Sequence, residues 1–298
     1  METMRGIWII AATAAVFLTC AGGQDAKAQQ LQGWMNPEVR TAWSQGFKGR
    51  GASITVVDDF IEGGRFQGRL GGTKQTLRHG EWTSRQSGMI APMARIYRRD
   101  YTDSTSVKLQ RGFNALNLSY AIMATQGHKT GRLSNRERSI IDHARNGRAV
   151  VVKGAGNDGV AVGTTNANRQ FDQLNRELIG AASSIFVGAL TSNGTRNRPA
   201  RLASYSNIAG NDTTVQKQFL VVGVDGNRTG IYGTSFAAPI VSGYAAIVSS
   251  KFTRATPVQV RNQLLNTART DTISGYRRAV HGRGEASIAR ALAPVSIR

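Results

Sequence analysis

The stretch from residue 134 to residue 152 constrains the fold of this chain more than any other. Ser134 and Glu137 have the spacing of a capping box, which predicts that a helix begins there, and Asn146-Gly147 is a typical helix end. The apolar run Ala149–Val152 follows directly, and such a run is typical of a strand buried on both faces of a parallel sheet. A helix followed at once by such a strand is half of a βαβ crossover. We therefore predict a parallel α/β fold.

Three further apolar runs are predicted strands of the same sheet: 52–57, 185–190 and 219–222. A short strand is also predicted near residues 90–97, and the glycine-rich residues 62–76 are predicted as turns. Thr256-Pro257 has the form of an N-cap followed by a first-turn proline, which predicts another helix. No repeat or long linker divides the chain. We predict one α/β domain of three layers, with a mostly parallel central sheet and helices on both faces.

The first 28 residues have the pattern of a secretory signal peptide. Arg5 precedes the apolar run Ile7–Leu18, which is too short to span a bilayer, and Ala26-Lys27-Ala28 has the small-x-small form that signal peptidase cleaves. A lipoprotein anchor at Cys20 is the alternative, and it is disfavoured because Thr19 stands where glycine or alanine normally precedes such a cysteine. We predict cleavage after Ala28 and export to the periplasm or to the outside of the cell.

Cleavage would leave residues 29–298, which we predict to be a single domain with an N-terminal extension, 29–41. Trp34 and Trp43 are expected to anchor this end of the chain onto the domain. Cleavage would also remove Cys20, the only cysteine, so the stability of the mature domain is expected to come from a packed core rather than from disulfides.

The chain carries 38 lysines and arginines against 18 aspartates and glutamates, a formal net charge of +20. Such an excess attracts anionic partners such as nucleic acid, acidic polymers and anionic lipid. The basic residues are scattered, however, and no aromatic residues alternate with them as they do in nucleic-acid-binding motifs. We expect a cationic surface that attracts anionic surfaces or polymers, with no specific nucleic-acid site.

A candidate nucleophile lies near the C-terminus, in Gly233-Thr234-Ser235-Phe236-Ala237-Ala238. Small neighbours let a substrate carbonyl approach Ser235, and the apolar run that follows Pro239 predicts a buried helix. The N-terminus of a helix offers free main-chain N–H groups and positive potential where an oxyanion would form. The alternative is an ordinary helix start capped by Thr234 or Ser235.

A serine nucleophile needs a base and a carboxylate that orients the base. Of the histidines His79, His128, His143 and His281, we favour His79, which follows the glycine-rich segment and precedes Gly80. Asp58 ends a predicted buried strand, and sites in open α/β sheets gather at the carboxyl ends of strands. A turn or cap carboxylate is the structural alternative for Asp58.

Asn157 follows the strand at Ala149–Val152 and is the candidate amide donor to an oxyanion; an asparagine in a left-handed turn is the alternative. In the order Asp58, His79, Asn157 and Ser235, with their flanking residues, the chain resembles a subtilisin-like serine protease. The resemblance extends from about Ala42 to Leu292, and the serine segment is its most specific part.

The resemblance implies a subtilisin-like fold and a secreted serine endopeptidase that hydrolyses peptide bonds through an acyl-enzyme. It assigns Ser235 as nucleophile, His79 as general base and acid, Asp58 as the orienting carboxylate, and Asn157 with the Ser235 main chain as the oxyanion hole. It implies a polypeptide substrate and no required cofactor or metal ligand, and a structural calcium ion stays open without a located site. The residues that it implies line the substrate cleft are Ser119, Tyr120, Ala121, Gly154, Ala155 and Gly156.

The chain departs from the family pattern at three points. Asp59-Phe60 follows the aspartate where Thr-Gly or Ser-Gly is usual, and Trp82 stands where a second histidine is usual. The segment from His79 to Ala91 is short, which leaves little room for an inserted calcium loop. The residues before the first matching strand are too few for a folded pro-domain, so we expect none.

Two other functions are weighed. Gly154, Gly156 and Gly159 fit the dinucleotide pattern Gly-x-Gly-x-x-Gly, but no amphipathic helix is predicted directly after them, which disfavours an oxidoreductase. An inactive cationic binding module on the same fold is the second alternative, suggested by the charge and the altered neighbours.

Overall fold

A six-stranded parallel sheet forms the centre of the protein, with the strand order β10-β9-β7-β5-β1-β4. The computed structural model describes residues 30–297, so the predicted signal peptide and Cys20 lie outside the described residues. The strands are β1 (Ala52–Asp58), β2 (Arg65–Gly68), β3 (Gln75–Arg78), β4 (Arg95–Asp100), β5 (Phe113–Leu118), β6 (Met123–Thr125), β7 (Val150–Gly154), β8 (Gln170–Asp172), β9 (Ser184–Leu190) and β10 (Phe219–Gly223).

The helices are α1 (Glu38–Ser44), α2 (His79–Ile90), α3 (Asn135–Arg145), α4 (Gln173–Leu178), α5 (Thr213–Gln218), α6 (Gly226–Thr229), α7 (Ala238–Lys251), α8 (Pro257–Asn266), α9 (Arg278–His281) and α10 (Ile288–Leu292). A 3₁₀ turn, Thr234–Phe236, precedes α7.

Alternate side chains of the strands face two separate hydrophobic cores. Val150 and Val152 of β7 pack in the core that contains α7 and α8, while Val151 packs in the core that contains α3. All three valines are fully buried, as expected for a central strand with helices on both faces. The predicted three-layer α/β fold with a parallel sheet is confirmed, and the capping box at Ser134 and Glu137 opens α3 as predicted.

Two local predictions were wrong. Residues 62–76, predicted as turns, include β2 and much of β3, which pair as an antiparallel hairpin. The strand predicted near residues 90–97 begins only at Arg95. Ile90 is instead the last residue of α2. The sequence Arg95–Asp100 is highly charged because β4 is an edge strand of the sheet and is only half-buried.

Two tryptophans hold the N-terminal part of the described chain. Trp34 is buried and donates from Nε1 to the main-chain oxygen of Leu70 (2.8 Å), and the buried Trp43 donates to that of Ile90 (2.9 Å). Their predicted role as anchors is confirmed. From Leu31 onward the chain forms one compact unit. Between residues 30 and 297, no helix combines the length and apolarity needed to cross a bilayer.

His281 links the stability of the fold to pH. Burial lowers the pKa of this imidazole below its ordinary value, so on acidification the unfolded chain takes up the proton first. The free energy of unfolding should therefore be highest where the imidazole is neutral in both states, and should fall as the pH drops below about 6.5. We expect His281→Gln to weaken this dependence, measured by urea unfolding at pH 7.5 and 5.5. The exposed His128→Gln is the control, and equal slopes in both variants would contradict the expectation.

Candidate active site

Asp58 and His79 meet at the carboxyl end of β1. Asp58 is the last residue of that strand and is 1% exposed, and His79 is the first residue of α2. The Asp58 Oδ1 atom lies 2.6 Å from the His79 Nδ1 atom. A carboxylate bound at Nδ1 favours the tautomer in which Nε2 carries no proton and can accept one.

Two further donors hold the Asp58 carboxylate. The main-chain N–H of Asp59 donates to Oδ1 (2.7 Å), and the hydroxyl of Thr83, fully buried in α2, donates to Oδ2 (2.7 Å). Sequence analysis missed Thr83. The side-chain hydroxyl that binds the Asp58 carboxylate belongs to Thr83, one helical turn after His79.

Ser235 lies in the 3₁₀ turn, and α7 begins three residues later, at Ala238. Ser119 binds this turn twice: its Oγ donates to the main-chain oxygen of Ser235 (2.8 Å), and its main-chain oxygen accepts from Ser235 Oγ (3.2 Å). The hydroxyl of Ser235 therefore points to Ser119 rather than to His79. The His79 ring is nevertheless adjacent to the turn, with its centroid 5.3 Å from that of Phe236.

Asn157 is tied to the residue before the serine. Its Oδ1 atom accepts from the main-chain N–H of Thr234 (2.8 Å) and from the Thr234 hydroxyl (3.0 Å). The Thr234 hydroxyl in turn accepts from the main-chain N–H of Gly156 (3.0 Å). Thr234 thus holds the oxygen end of the Asn157 amide. The NH₂ end is the donor that Asn157 can offer in the cavity that it lines with Ser235.

A cavity of about 430 Å³ opens beside Ser235. Of the six residues predicted for the cleft, those that line this cavity are Ser119, Tyr120, Ala121, Gly154 and Gly156. Ala155 is placed differently: it is fully buried, and its main-chain oxygen accepts from the side chains of Asn175 and Asn207 (3.0 Å each). These two amides fix the loop that carries Asn157.

The hydroxyl of Tyr120 is bound to Glu137. The phenol donates to Glu137 Oε1 (3.0 Å), and burial raises its pKa above the ordinary value.

Within residues 30–297, no three histidine, cysteine, aspartate or glutamate side chains gather as a metal site. The structure thus brings Asp58 to His79, and Asn157 to the turn of Ser235.

Comparison with known proteins decides the family. The model of the subtilase family matches residues 87–285, two thirds of the chain. The chain belongs to the subtilase family. The match includes Asn157 and Ser235 of this subtilase, whereas Asp58 and His79 precede it. The resemblance drawn from the sequence motifs is confirmed.

Two subtilisins of Bacillus subtilis are similar to this subtilase in sequence. Subtilisin NAT of subsp. natto and subtilisin E of strain 168 are each 27% identical over 192 residues, which cover 60% of this chain and 45% of the subtilisin. The chain therefore spans less than half of the length of these relatives.

Solved structures share the fold at low identity. MycP1 from the ESX-1 type VII secretion system has a TM-score of 0.57 and 20% identity, over 87% of this subtilase and 85% of MycP1. The prenylagaramide maturation protease PagA has a TM-score of 0.55 and 22% identity, over 86% of this subtilase and 98% of PagA.

The loop Gly154–Gly159, which also fits a dinucleotide pattern, is not followed directly by a helix, since α4 begins at Gln173.

Proposed function

We propose that this subtilase is a serine endopeptidase that acts through Ser235, His79 and Asp58, with Asn157 in the oxyanion hole. The observation that carries the proposal is the 2.6 Å contact between His79 Nδ1 and Asp58 Oδ1 next to the turn of Ser235. Catalytic hydrogen bonds are often incomplete without substrate, so the orientation of the Ser235 hydroxyl toward Ser119 agrees with the proposal.

In the acylation step, Ser235 rotates its hydroxyl from Ser119 toward His79. Its oxygen attacks the peptide carbonyl carbon as Nε2 of His79 takes the proton. The carbonyl electron pair moves to oxygen, where the Asn157 NH₂ group and the Ser235 main-chain N–H stabilise the charge. The C–N bond then breaks, and His79 gives its proton to the leaving amine. Water repeats the sequence on the acyl-enzyme, which releases the acid and restores the hydroxyl.

Substrate is proposed to bind as an added strand along two main-chain segments, Ser119–Ala121 and Gly154–Gly156. Strand addition uses main-chain hydrogen bonds for affinity and side-chain pockets for selectivity. Glycine at position 154 lets this segment lie against the turn of Ser235, because a Cβ atom there would lie 3.0 Å from the main-chain oxygen of Thr234.

A fluorophosphonate probe tests the proposed chemistry. We expect the wild type to be labelled at Ser235 and Ser235→Ala to remain unlabelled. If the folded wild type is not labelled, the proposed enzyme is wrong and an inactive binding module takes its place. A peptide library digested with an unlabelled portion of the same preparation then shows whether internal bonds are cleaved.

Asn157→Ala should lower kcat for peptide hydrolysis by about 10²–10³-fold, the effect of removing one oxyanion donor in subtilisin. KM should change little, because the donor acts on charge that develops only in the transition state. Steady-state kinetics on one peptide measures both constants. A loss carried entirely by KM would contradict this role for Asn157.

Thr83→Val should lower kcat by about tenfold or more, because a hydrogen bond to a charged group contributes about 1.5–3 kcal/mol. Valine keeps the shape of threonine but cannot donate to Asp58 Oδ2. Thr83→Ser, which keeps the hydroxyl, should restore most of the rate. Equal losses in both variants, or an unchanged kcat in the valine variant, would show that the hydroxyl does not position the carboxylate.

We further propose that the protein is exported after cleavage behind Ala28 and needs no metal ion for hydrolysis. Intact-mass analysis of protein secreted by a bacterial host should show a chain that begins at Gln29. Treatment with EDTA should leave kcat/KM unchanged. A lower melting temperature after EDTA would indicate a structural calcium ion.

A further inference from the structure

The floor of the cavity beside Ser235 contains a buried ion pair. Lys153 follows three valines in β7 and is only 2% exposed. Its Nζ lies 2.8 Å from Asp172 Oδ2 and donates to the main-chain oxygen of Gly154 (2.9 Å). A buried pair of this kind adds little net stability, so its main effect is expected on what enters the cavity that both side chains line.

One oxygen atom beside this pair is left as an acceptor. Asp172 Oδ1 accepts from the main-chain N–H groups of Ile122 (3.1 Å) and Leu174 (3.0 Å), and Asp172 Oδ2 is held by the Lys153 ammonium group. Asn175 Oδ1 accepts no hydrogen bond from residues 30–297, although it is buried. Asn175 also lines the cavity, and its NH₂ group is held by Ala155.

The cavity lies on the acyl side of the bond to be cut. Ser235 and Asn157 line it, and these residues would hold the carbonyl of the acyl part. His79, which would protonate the leaving amine, is not among its lining residues. The cavity therefore receives the side chain of the residue before the cut, called P1.

We propose that Lys153, Asp172 and Asn175 make this pocket selective for an uncharged P1 side chain that donates N–H groups, glutamine or asparagine. The inference rests on the proposed function. The ammonium and the carboxylate neutralise each other, so a charged P1 group of either sign would lie beside a like charge without a counter-charge. An apolar group would leave Asn175 Oδ1 unpaired, which costs more than a lost contact. A carboxamide can donate to this oxygen and can accept from the ammonium group.

The first test is a peptide library that varies P1 alone, digested by the wild type. We expect kcat/KM for glutamine or asparagine to exceed that for lysine, arginine, glutamate, leucine and phenylalanine by at least about tenfold. A profile led by a charged or a large apolar residue overturns the proposal. Labelling of Ser235 by the fluorophosphonate probe in the same preparation separates this outcome from failure of the proposed enzyme.

Two variants should shift the preference in opposite directions. Lys153→Met leaves the Asp172 carboxylate without its counter-charge and should favour lysine or arginine at P1. Asp172→Asn keeps an oxygen for the N–H groups of Ile122 and Leu174, leaves Lys153 without its counter-charge, and should favour glutamate or aspartate. The double variant, Lys153→Met with Asp172→Asn, makes this part of the pocket uncharged and should favour neither a cationic nor an anionic P1 residue.

The control is Glu285→Gln, which alters a buried carboxylate near Arg269, outside the cavity. Its P1 profile should match that of the wild type. Circular dichroism identifies any single variant that does not fold, in which case the other single variant and the double variant carry the comparison. Variants that fold and lower kcat/KM equally for every P1 residue overturn the proposal, since the pair would then be structural only.

Discussion

Alanine in place of Ser235 or of His79 is expected to lower kcat for peptide hydrolysis by about 10⁶-fold, the magnitude measured for the corresponding residues of subtilisin. Each loss is expected to be nearly complete because the hydroxyl and the base act in the same proton transfer. The double variant should therefore be no slower than either single variant. Active-site-titrated kinetics on one peptide gives the three values.

Matched controls are a serine and a histidine that lie on helices outside the candidate site. Ser249→Ala removes a buried hydroxyl on α7 that donates only to the main-chain oxygen of Ala246, and His143→Ala removes an imidazole bound to Val107. Both should keep kcat within a few-fold of the wild type. Additive losses in the Ser235 and His79 variants would contradict a shared step.

Asp58→Asn should lower kcat by about 10⁴-fold, as the equivalent change does in a serine protease of another fold. Most of the geometry is retained, because the asparagine oxygen can still accept from Thr83 at the place of Asp58 Oδ2. Its amide, however, would donate to His79 Nδ1 and place the ring proton on Nε2, where the base must be free. Asp59→Asn, in the half-buried residue that follows the strand, is the control and should change kcat little. Similar losses in the two variants would show a general effect of charge rather than orientation of the imidazole.

Local patterns predicted the framework well. Ala149–Val152 identified a central strand because burial on both faces leaves no polar position in the run, and the capping box at Ser134 identified the helix before it. The four candidate site residues were predicted because each lies in a short motif at the end of an element, and their roles stay predictions.

Partners brought together by the fold could not be predicted in this way. Thr83 donates to a residue 25 positions earlier, and Ser119 binds a turn 116 positions later. The hairpin of β2 and β3 was missed because its strands are short and polar, with glycines between them. Lys153 gave no signal of its own, since a single lysine at the end of an apolar run also fits a solvated strand end.

The main-chain oxygen of Ser119 is an acceptor that two donors could use in turn. At rest it accepts the hydroxyl of Ser235, but a peptide laid along Ser119–Ala121 would offer its own N–H to the same atom. Binding of the peptide in the cleft would then also release the Ser235 oxygen from Ser119. Without a peptide in the cleft, the Ser235 hydroxyl would stay bound to Ser119 and turned away from His79. One shared acceptor would thus restrain the nucleophile until substrate binds.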